Sequence, residues 1–375
     1  MQFYATLSPG LEDISAREVE RLGGRVTEIR KGRGRIFFEG DLKLMVRLNY
    51  MARTLERIMI LLAIEKFETL DDIYHIVKNL DFSWIKPDQS FAIRPLRAGE
   101  HDFTSLDVGR VAGQAVIDSY MESKGVRLKV DLDEPDVIIR VDVIFDEVYV
   151  GIDTTGDESL HKRGYRVYDH PAPLNPTIAS SLVMLSNWNP KKSLLDPMCG
   201  SGTILIEAAM IGRNIPPQKF RKEKFLFTNI YGNDILEEVK AEAEKLEKRD
   251  VKMTLVGIER FRKHIRGGIT NAKTAGVKDT IDFIQADATR LCLKDVDIAI
   301  TNPPYGLRIA KKGVIEDLYD GFLRSAKDVV AERIVVITAE DKILREKALK
   351  NDYEIEKEFW VKYGGLDTRV FVLKP

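Results

Sequence analysis

Apolar and polar positions alternate along this chain in two different rhythms. Residues 2 to 7 read as a short strand, and "SPGLEDISAREVERLGG" reads as a helix, with Ser8 as its N-cap, Pro9 in the first turn and Gly23-Gly24 as its stop. "GRIFFEGD" is a strand, and the apolar pattern from Leu42 to Leu62 adds a further helix and strands, which makes the opening 65 residues a small α+β unit. A second unit follows. "TLDDIYHIVKNL" opens on a capping box from Thr69 to Asp72, "SFAIRPLR" is a strand and "DVGRVAGQAVIDSYMESKG" is a helix. "RLKVDLDEPDVIIRVDVIFDEVYVGID" then supplies two or three strands around a Glu134-Pro135 turn.

A polar passage bearing glycine and proline, Gly156 to Pro176, reads as a linker, and beyond it the rhythm changes. "KSLLDPMCGSGTILIEAAMIG" is strand, turn, helix; "MTLVGIE" is a strand, "RKHIRGGITNAKTAGV" a helix, and "TIDFIQAD", "VDIAITN" and "RIVVITAE" are strands. Alternating βα units of this kind predict an α/β fold with a mostly parallel, doubly wound sheet whose ligands bind beyond the strand C-termini.

At 375 residues the chain has room for two or three domains. Its two cysteines, Cys199 and Cys292, make neither a disulfide framework nor a zinc site, so no metal is expected. No apolar run approaches the roughly eighteen residues of a membrane span and no leader is evident, which points to the cytoplasm. The net charge of −1 argues against a generally basic nucleic-acid binder. Cations nevertheless cluster in "RVTEIRKGRGR" (25–35), in "HKRGYR" (161–166) with Arg163 and Arg166, and in "RIAKK" (308–312) with Arg308, Lys311 and Lys312.

The chemistry gathers in the second half. "LLDPMCGSGT" sets Asp196 at a strand end, with Cys199, Gly200, Gly202 and Thr203 in the turn before a helix. A dinucleotide fingerprint needs a glycine where this chain has Leu205, and a phosphate loop needs a Lys-Ser or Lys-Thr pair that is missing here. The turn therefore suits a cofactor without phosphate, approached closely by backbone, while Asp196 is free to meet a positive charge. S-adenosylmethionine, with its α-amino group, fits. A carboxylate at the end of the next strand takes ribose hydroxyls in such a crevice, and both Asp234 and Glu259 compete for that place. The order of elements selects Glu259 and leaves about 213 to 250 as an insertion. Asp287 in "QADA" then accepts the adenine amino group, with the amide of Ala288 on a ring nitrogen.

"DIAITNPPYGLRI" ends a buried strand on an amide, two rigid imino acids and an aromatic ring. The exocyclic amine of a nucleobase is a weak nucleophile because its lone pair is delocalised into the ring. Acceptors on its hydrogens, the side-chain oxygen of Asn302 and carbonyls around Pro303 and Pro304, point that lone pair at a methyl sulfonium, and Tyr305 stacks on the base. The prolines supply the rigidity that positioning requires.

With these residues the sequence resembles the class I methyltransferases of amino groups, which carry an (Asp/Asn/Ser)-Pro-Pro-(Tyr/Phe/Trp) motif, here Asn302-Pro303-Pro304-Tyr305. Nearly the whole chain shares in the resemblance. It implies a ferredoxin-like unit over 1–65, a THUMP RNA-binding domain over 66–155, a linker over 156–176 and a Rossmann-like methyltransferase domain over 177–375. Beside "DPMCGSGTILIEAA", this pairing is similar to tRNA and rRNA guanine-N2 methyltransferases, most of all to those acting on guanosine 6 of the tRNA acceptor stem. The resemblance further implies that "HPAPLNPTIAS" packs over the cofactor with Thr177 or its neighbours near its methionine end, and that the THUMP domain grips the tRNA 3′ end; a monomer is expected. Methylation of tRNA position 10 or of rRNA, and an RNA-binding protein without catalysis, are the alternatives.

Overall fold

The computed structural model describes residues 1–306 and 312–375. Its elements run β1 (Gln2–Thr6), α1 (Glu12–Arg21), β2 (Arg25–Arg30), β3 (Arg35–Glu39), α2 (Leu42–Met51), β4 (Arg57–Lys66), α3 (Leu70–Lys78), β5 (Ser90–Ala98), α4 (Ser105–Lys124), β6 (Lys129–Val130), β7 (Val137–Ile144) and β8 (Glu147–Asp153). There follow α5 (Pro176–Leu185), β9 (Leu194–Asp196), α6 (Thr203–Gly212), α7 (Phe227–Tyr231), α8 (Asp234–Lys245), β10 (Leu255–Glu259), α9 (Arg262–Thr274), β11 (Ile281–Gln285) and β12 (Val296–Thr301). The chain closes with α10 (Lys312–Lys327), β13 (Val330–Thr338), α11 (Asp341–Lys350), β14 (Glu354–Tyr363) and β15 (Leu366–Lys374).

Among the described residues the strands form two sheets. The first has the order β2-β3-β1-β4-β8-β7-β5-β6. Antiparallel pairing of β4 with β8, from Met59↔Asp153 to Lys66↔Glu147, carries it without a break from the first unit into the second. Strand alternation sorts its side chains by face. Phe3, Ala5, Ile36, Phe38, Ile58, Ile60, Val150 and Ile152 share one core with Val19, Leu44, Val108 and Ala112 of the helices, whereas Tyr4, Phe37, Met59 and Tyr149 form a separate cluster on the other face.

The capping box at Thr69 and Asp72 forms as the sequence predicts. The expected cap at Ser8 does not. Helix α1 starts at Glu12, preceded by Leu11 without a side-chain cap. Ser8 to Leu11 instead close a turn, Leu11 N to Ser8 O at 3.2 Å, and the Glu12 carboxylate takes the amides of Gly10 (2.9 Å) and Gly34 (2.8 Å). The Gly10 amide that a Ser8 cap could have satisfied is thus met by a glutamate inside the first turn, which also ties down the β2–β3 loop through Gly34.

The second sheet has the order β11-β10-β9-β12-β13-β15-β14. Strands β9 to β13 run parallel, and β15 enters antiparallel between β13 and β14. Strand β9 therefore has β10 on one side and β12 on the other, so the chain leaves its flank in opposite directions and a crevice opens above its C-terminus. The segment between α6 and β10 holds α7 and α8 and no strand, so Glu259, not Asp234, ends the strand beside β9. Asp234 opens α8 on the exposed surface.

Candidate active site

Strand β9 delivers Asp196 to the floor of the crevice, 2% exposed. Its Oδ1 accepts from Met198 N at 3.2 Å, and no Lys, Arg or His among the described residues pairs with it. Burial pushes its pKa up to about 7, with the Glu259 carboxylate adding to the rise. A buried carboxylate without a countercharge is a place for a ligand's cation.

The turn beyond Asp196 puts Gly200 at φ +52° and Gly202 at φ +77°, where side chains are disfavoured. A Cβ on Gly202 would lie 2.9 Å from the Phe283 ring, so that glycine lets the turn sit against β11. Thr203 begins α6 and is buried. Cys199 differs from the expectation: its side chain packs under the turn, where Sγ would lie 3.0 Å from a Cβ on Gly257, and burial pushes its thiol pKa up. Only its backbone is left for a ligand.

Register sets the rim. Asp196 pairs with Gly257, and Leu195 with Ala299, so Glu259 on one flank and Asn302 on the other each stand beyond the level of Asp196. At about 3.3 Å per residue, that raises them roughly 6 to 7 Å above the floor. Glu259 is held by two amides, Gly200 N on Oε2 (3.2 Å) and Phe261 N on Oε1 (2.8 Å), which leaves each oxygen a lone pair for a hydroxyl. Asp287 follows β11 and is exposed, with Oδ1 accepting from Thr289 N (2.9 Å) and Oγ1 (2.7 Å). These bonds hold its pKa below the usual carboxylate value. Ala288 beside it is buried.

On the opposite rim Asn302 is half-buried, Pro303 buried and Pro304 exposed. The Tyr305 hydroxyl donates to Asn302 Oδ1. Tyr319 of α10 bonds Thr338 Oγ1 at 2.8 Å and donates to the Pro304 carbonyl at 3.3 Å, so β13 and α10 brace the motif from behind. One lone pair of that carbonyl is thereby used and one remains.

The segment "HPAPLNPTIAS", expected to pack over the cofactor, begins in a strap of residues 168 to 175 beside this crevice; its contacts through Tyr168, His170 and His264 were not foreseen from the sequence. His170 lies over the glycine turn, with Nε2 3.3 Å from where a Gly200 Cβ would be, and its ring meets the His264 ring edge-on at 4.2 Å. His264 Nδ1 pairs with the Tyr168 hydroxyl at 2.8 Å. At the other end the Tyr363 hydroxyl donates to the Pro173 carbonyl. Thr177 bonds Asn175 Oδ1 through its hydroxyl at 2.9 Å inside the cap of α5 and is buried.

The basic residues need a correction too. Arg163 is fully buried and meets Glu207 at 3.3 Å, so it holds structure and cannot touch RNA. Glu207 also accepts from Tyr165 (2.8 Å) and Ser180 (2.6 Å). Arg166 is half-buried and turned toward the Leu174 carbonyl. Arg308, Lys311 and the side chain of Lys312 lie outside the described residues. Among the described residues no three His, Cys, Asp or Glu gather as a metal site, and no helix is long and apolar enough to cross a membrane.

A doubly wound sheet with strand order 3-2-1-4-5-7-6, acidic groups on the first three strand ends and Asn-Pro-Pro-Tyr on the fourth defines a class I methyltransferase. The chain belongs to the family of the RMKL-like methyltransferase domain, whose pattern matches residues 163–369. A THUMP domain matches residues 67–153 and an RlmL ferredoxin-like domain residues 2–59. The tRNA (guanine(6)-N2)-methyltransferase of Methanocaldococcus jannaschii is 56% identical over 382 aligned positions, covering 100% of both chains. The protein of the same name from Archaeoglobus fulgidus is 52% identical, over 99% of this chain and 92% of its own. Among solved structures, a possible methylase from Clostridium difficile superposes with TM-score 0.89 at 28% identity, over 100% of this chain and 98% of its own. TrmN from Thermus thermophilus gives 0.74 at 26%, over 100% and 99%. S-adenosylmethionine is the methyl donor of this class, and the unpaired Asp196 and the positive-φ glycines fit it.

Proposed function

We propose that the protein methylates the exocyclic N2 amine of guanosine in tRNA, at position 6 of the acceptor stem, to give N2-methylguanosine, with the THUMP unit holding the tRNA 3′ end. The end-to-end match to proteins of that activity supports the reading. The observation that carries it is the placement of Asn302 and Glu259 on the two strands flanking Asp196, beyond its level, so that one crevice has a floor for a cation and a rim for a neutral amine.

When bound, S-adenosylmethionine supplies an electrophilic methyl group on a sulfonium. Asp196 meets its ammonium, Glu259 its ribose hydroxyls, and Asp287 with the Ala288 amide its adenine. Asn302 Oδ1 and the carbonyls of Pro303 and Pro304 accept the hydrogens of the target amine and turn its lone pair inward. Tyr305 leaves Asn302 and stacks on the guanine, which has left its own stack at a cost of a few kcal/mol. The methylated amine is acidic enough to give its proton to water, so a neutral amide suffices and no metal is required. One chain supplies every group named, in keeping with a monomer, and a tRNA substrate is in keeping with the cytoplasm.

The test is to incubate the protein with an unmodified tRNA transcript and methyl-labelled donor, then map the product. Label as N2-methylguanosine at position 6 is expected. Label at position 10, or in rRNA alone, would replace the target, and no label in either RNA would overturn the reading.

A further inference from the structure

The segment from Arg213 to Asp250, between α6 and β10, takes no part in the crevice, yet it touches every other unit of the chain. On the ferredoxin-like side, the buried Arg53 donates to the carbonyl of Ile215 (2.6 Å) and, just before the segment, to that of Met210 in α6 (3.3 Å). Lys43 of α2 reaches Glu242 at 2.7 Å and Glu238 of α8, while Leu236, Val239 and Ala243 enter the common core. On the THUMP side, Gln89 Nε2 donates to Asn229 O and Asn229 Nδ2 donates to Asp136 O, both at 3.0 Å. Phe227, fully buried, donates its amide to Thr154 O at 3.1 Å. Along the linker, Gln218 Nε2 donates to Leu160 O (2.6 Å) and Arg221 to Glu158 O (2.7 Å). The segment closes on itself through Lys248 N to Arg213 O at 2.8 Å.

We propose that residues 213–250 are a brace that holds the THUMP unit at a set distance and angle from Asn302, and so selects which guanosine is methylated. This rests on the tRNA reading above. The magnitudes favour it. A flexible linker of the length of 156–176 leaves its ends uncertain by ~25 Å, whereas neighbouring base pairs of a duplex lie only roughly 3 Å apart along its axis. One nucleotide can be singled out only if the two units move as one body. The brace achieves that with hydrogen bonds to both, buried at Arg53 and half-buried at Gln89 and Asn229, and it continues from a helix, α6, that starts at the glycine turn itself.

The test uses the full chain with Gln89→Ala and Asn229→Ala combined, which removes two bonds at the THUMP end and touches nothing in the crevice. With unmodified tRNA, donor affinity should stay within about twofold, kcat/KM should fall about tenfold, and methyl label should spread to neighbouring guanosines. Lys43→Glu should shift the product in the same way, and Glu238→Lys with Glu242→Lys should restore it. A double variant that keeps one position and the wild-type kcat/KM overturns the brace. A second readout needs no RNA: amide hydrogen exchange at Phe227 should rise in the double variant, and unchanged protection there also overturns it. A wild type that leaves tRNA unlabelled while Phe227 exchange rises would overturn the tRNA reading and retain the brace.

Discussion

The hydroxyl of Tyr305 donates to Oδ1 of Asn302, the atom to which the proposed mechanism gives an amine hydrogen. Burial pushes the phenol pKa well up, so it stays a donor at any working pH. In the free protein the tyrosine satisfies a half-buried acceptor, and under the proposed mechanism it swings aside to let the base in. Tyr305→Phe should keep kcat/KM within about threefold, because stacking survives and the acceptor is freed. Tyr305→Ala should lose about tenfold or more, the scale of one base stacked on an aromatic ring. Steady-state kinetics on tRNA separates the two, and a Phe variant as inactive as the Ala variant would give the hydroxyl a part in the reaction.

Asn302→Ala removes the acceptor itself. A loss of about 100-fold or more in kcat is expected, the scale of one preorganised polar group at a reacting centre, with donor affinity measured by calorimetry nearly unchanged. A variant with normal kcat contradicts the role assigned to Asn302.

Asp196 sets a pH dependence. An ammonium prefers the ionised carboxylate, and in the free protein that carboxyl titrates at about 7. Below this pH the proton must leave before the cation binds, so affinity for S-adenosylhomocysteine should fall by about tenfold per pH unit on going down from 7. Calorimetry across this range checks it, and Asp196→Asn should be weak and flat.

The same shift bears on stability with the opposite sign. A carboxyl whose folded pKa lies above its unfolded value of about 4 favours the fold at low pH and loses that contribution as pH rises through about 7. Without ligand, Asp196→Asn should therefore be more stable than wild type at pH 8, by about 1 to 3 kcal/mol, and show no such gain at pH 4. Thermal melts at the two pH values decide.

Arg163→Met should cost about 3 to 5 kcal/mol, since it leaves Glu207 buried without its countercharge. Denaturant unfolding would show this, and a loss below 1 kcal/mol would mean that Tyr165 and Ser180 alone hold the carboxylate.

Much of the site is legible along the chain because each group follows a strand. Asp196, Glu259, Asp287 and Asn302 each come at or just after an apolar run, and a parallel sheet brings such ends to one edge whatever the helices between them do. The glycines are legible for a related reason, since a tight turn before a helix has few other solutions. Cationic side chains are not, because a lysine-arginine run reads the same on a solvated face as in a core: Arg163 is the case in point, turned inward by a glutamate 44 positions away.

The sequence by itself determined the two kinds of sheet, the order of the catalytic strands and the Asn-Pro-Pro-Tyr exit, because hydrophobic period and turn chemistry act over a few residues. Tertiary structure alone decided that the Glu12 carboxylate reaches the Gly34 amide, that the Cys199 thiol packs against Gly257, that the His170 ring meets His264, that Arg163 turns inward to Glu207, and that residues 213–250 bind three units together. The partners Gly34, Gly257, His264 and Glu207 lie far off in the chain, and which distant surfaces meet is settled by packing the whole core at once, not by any local pattern.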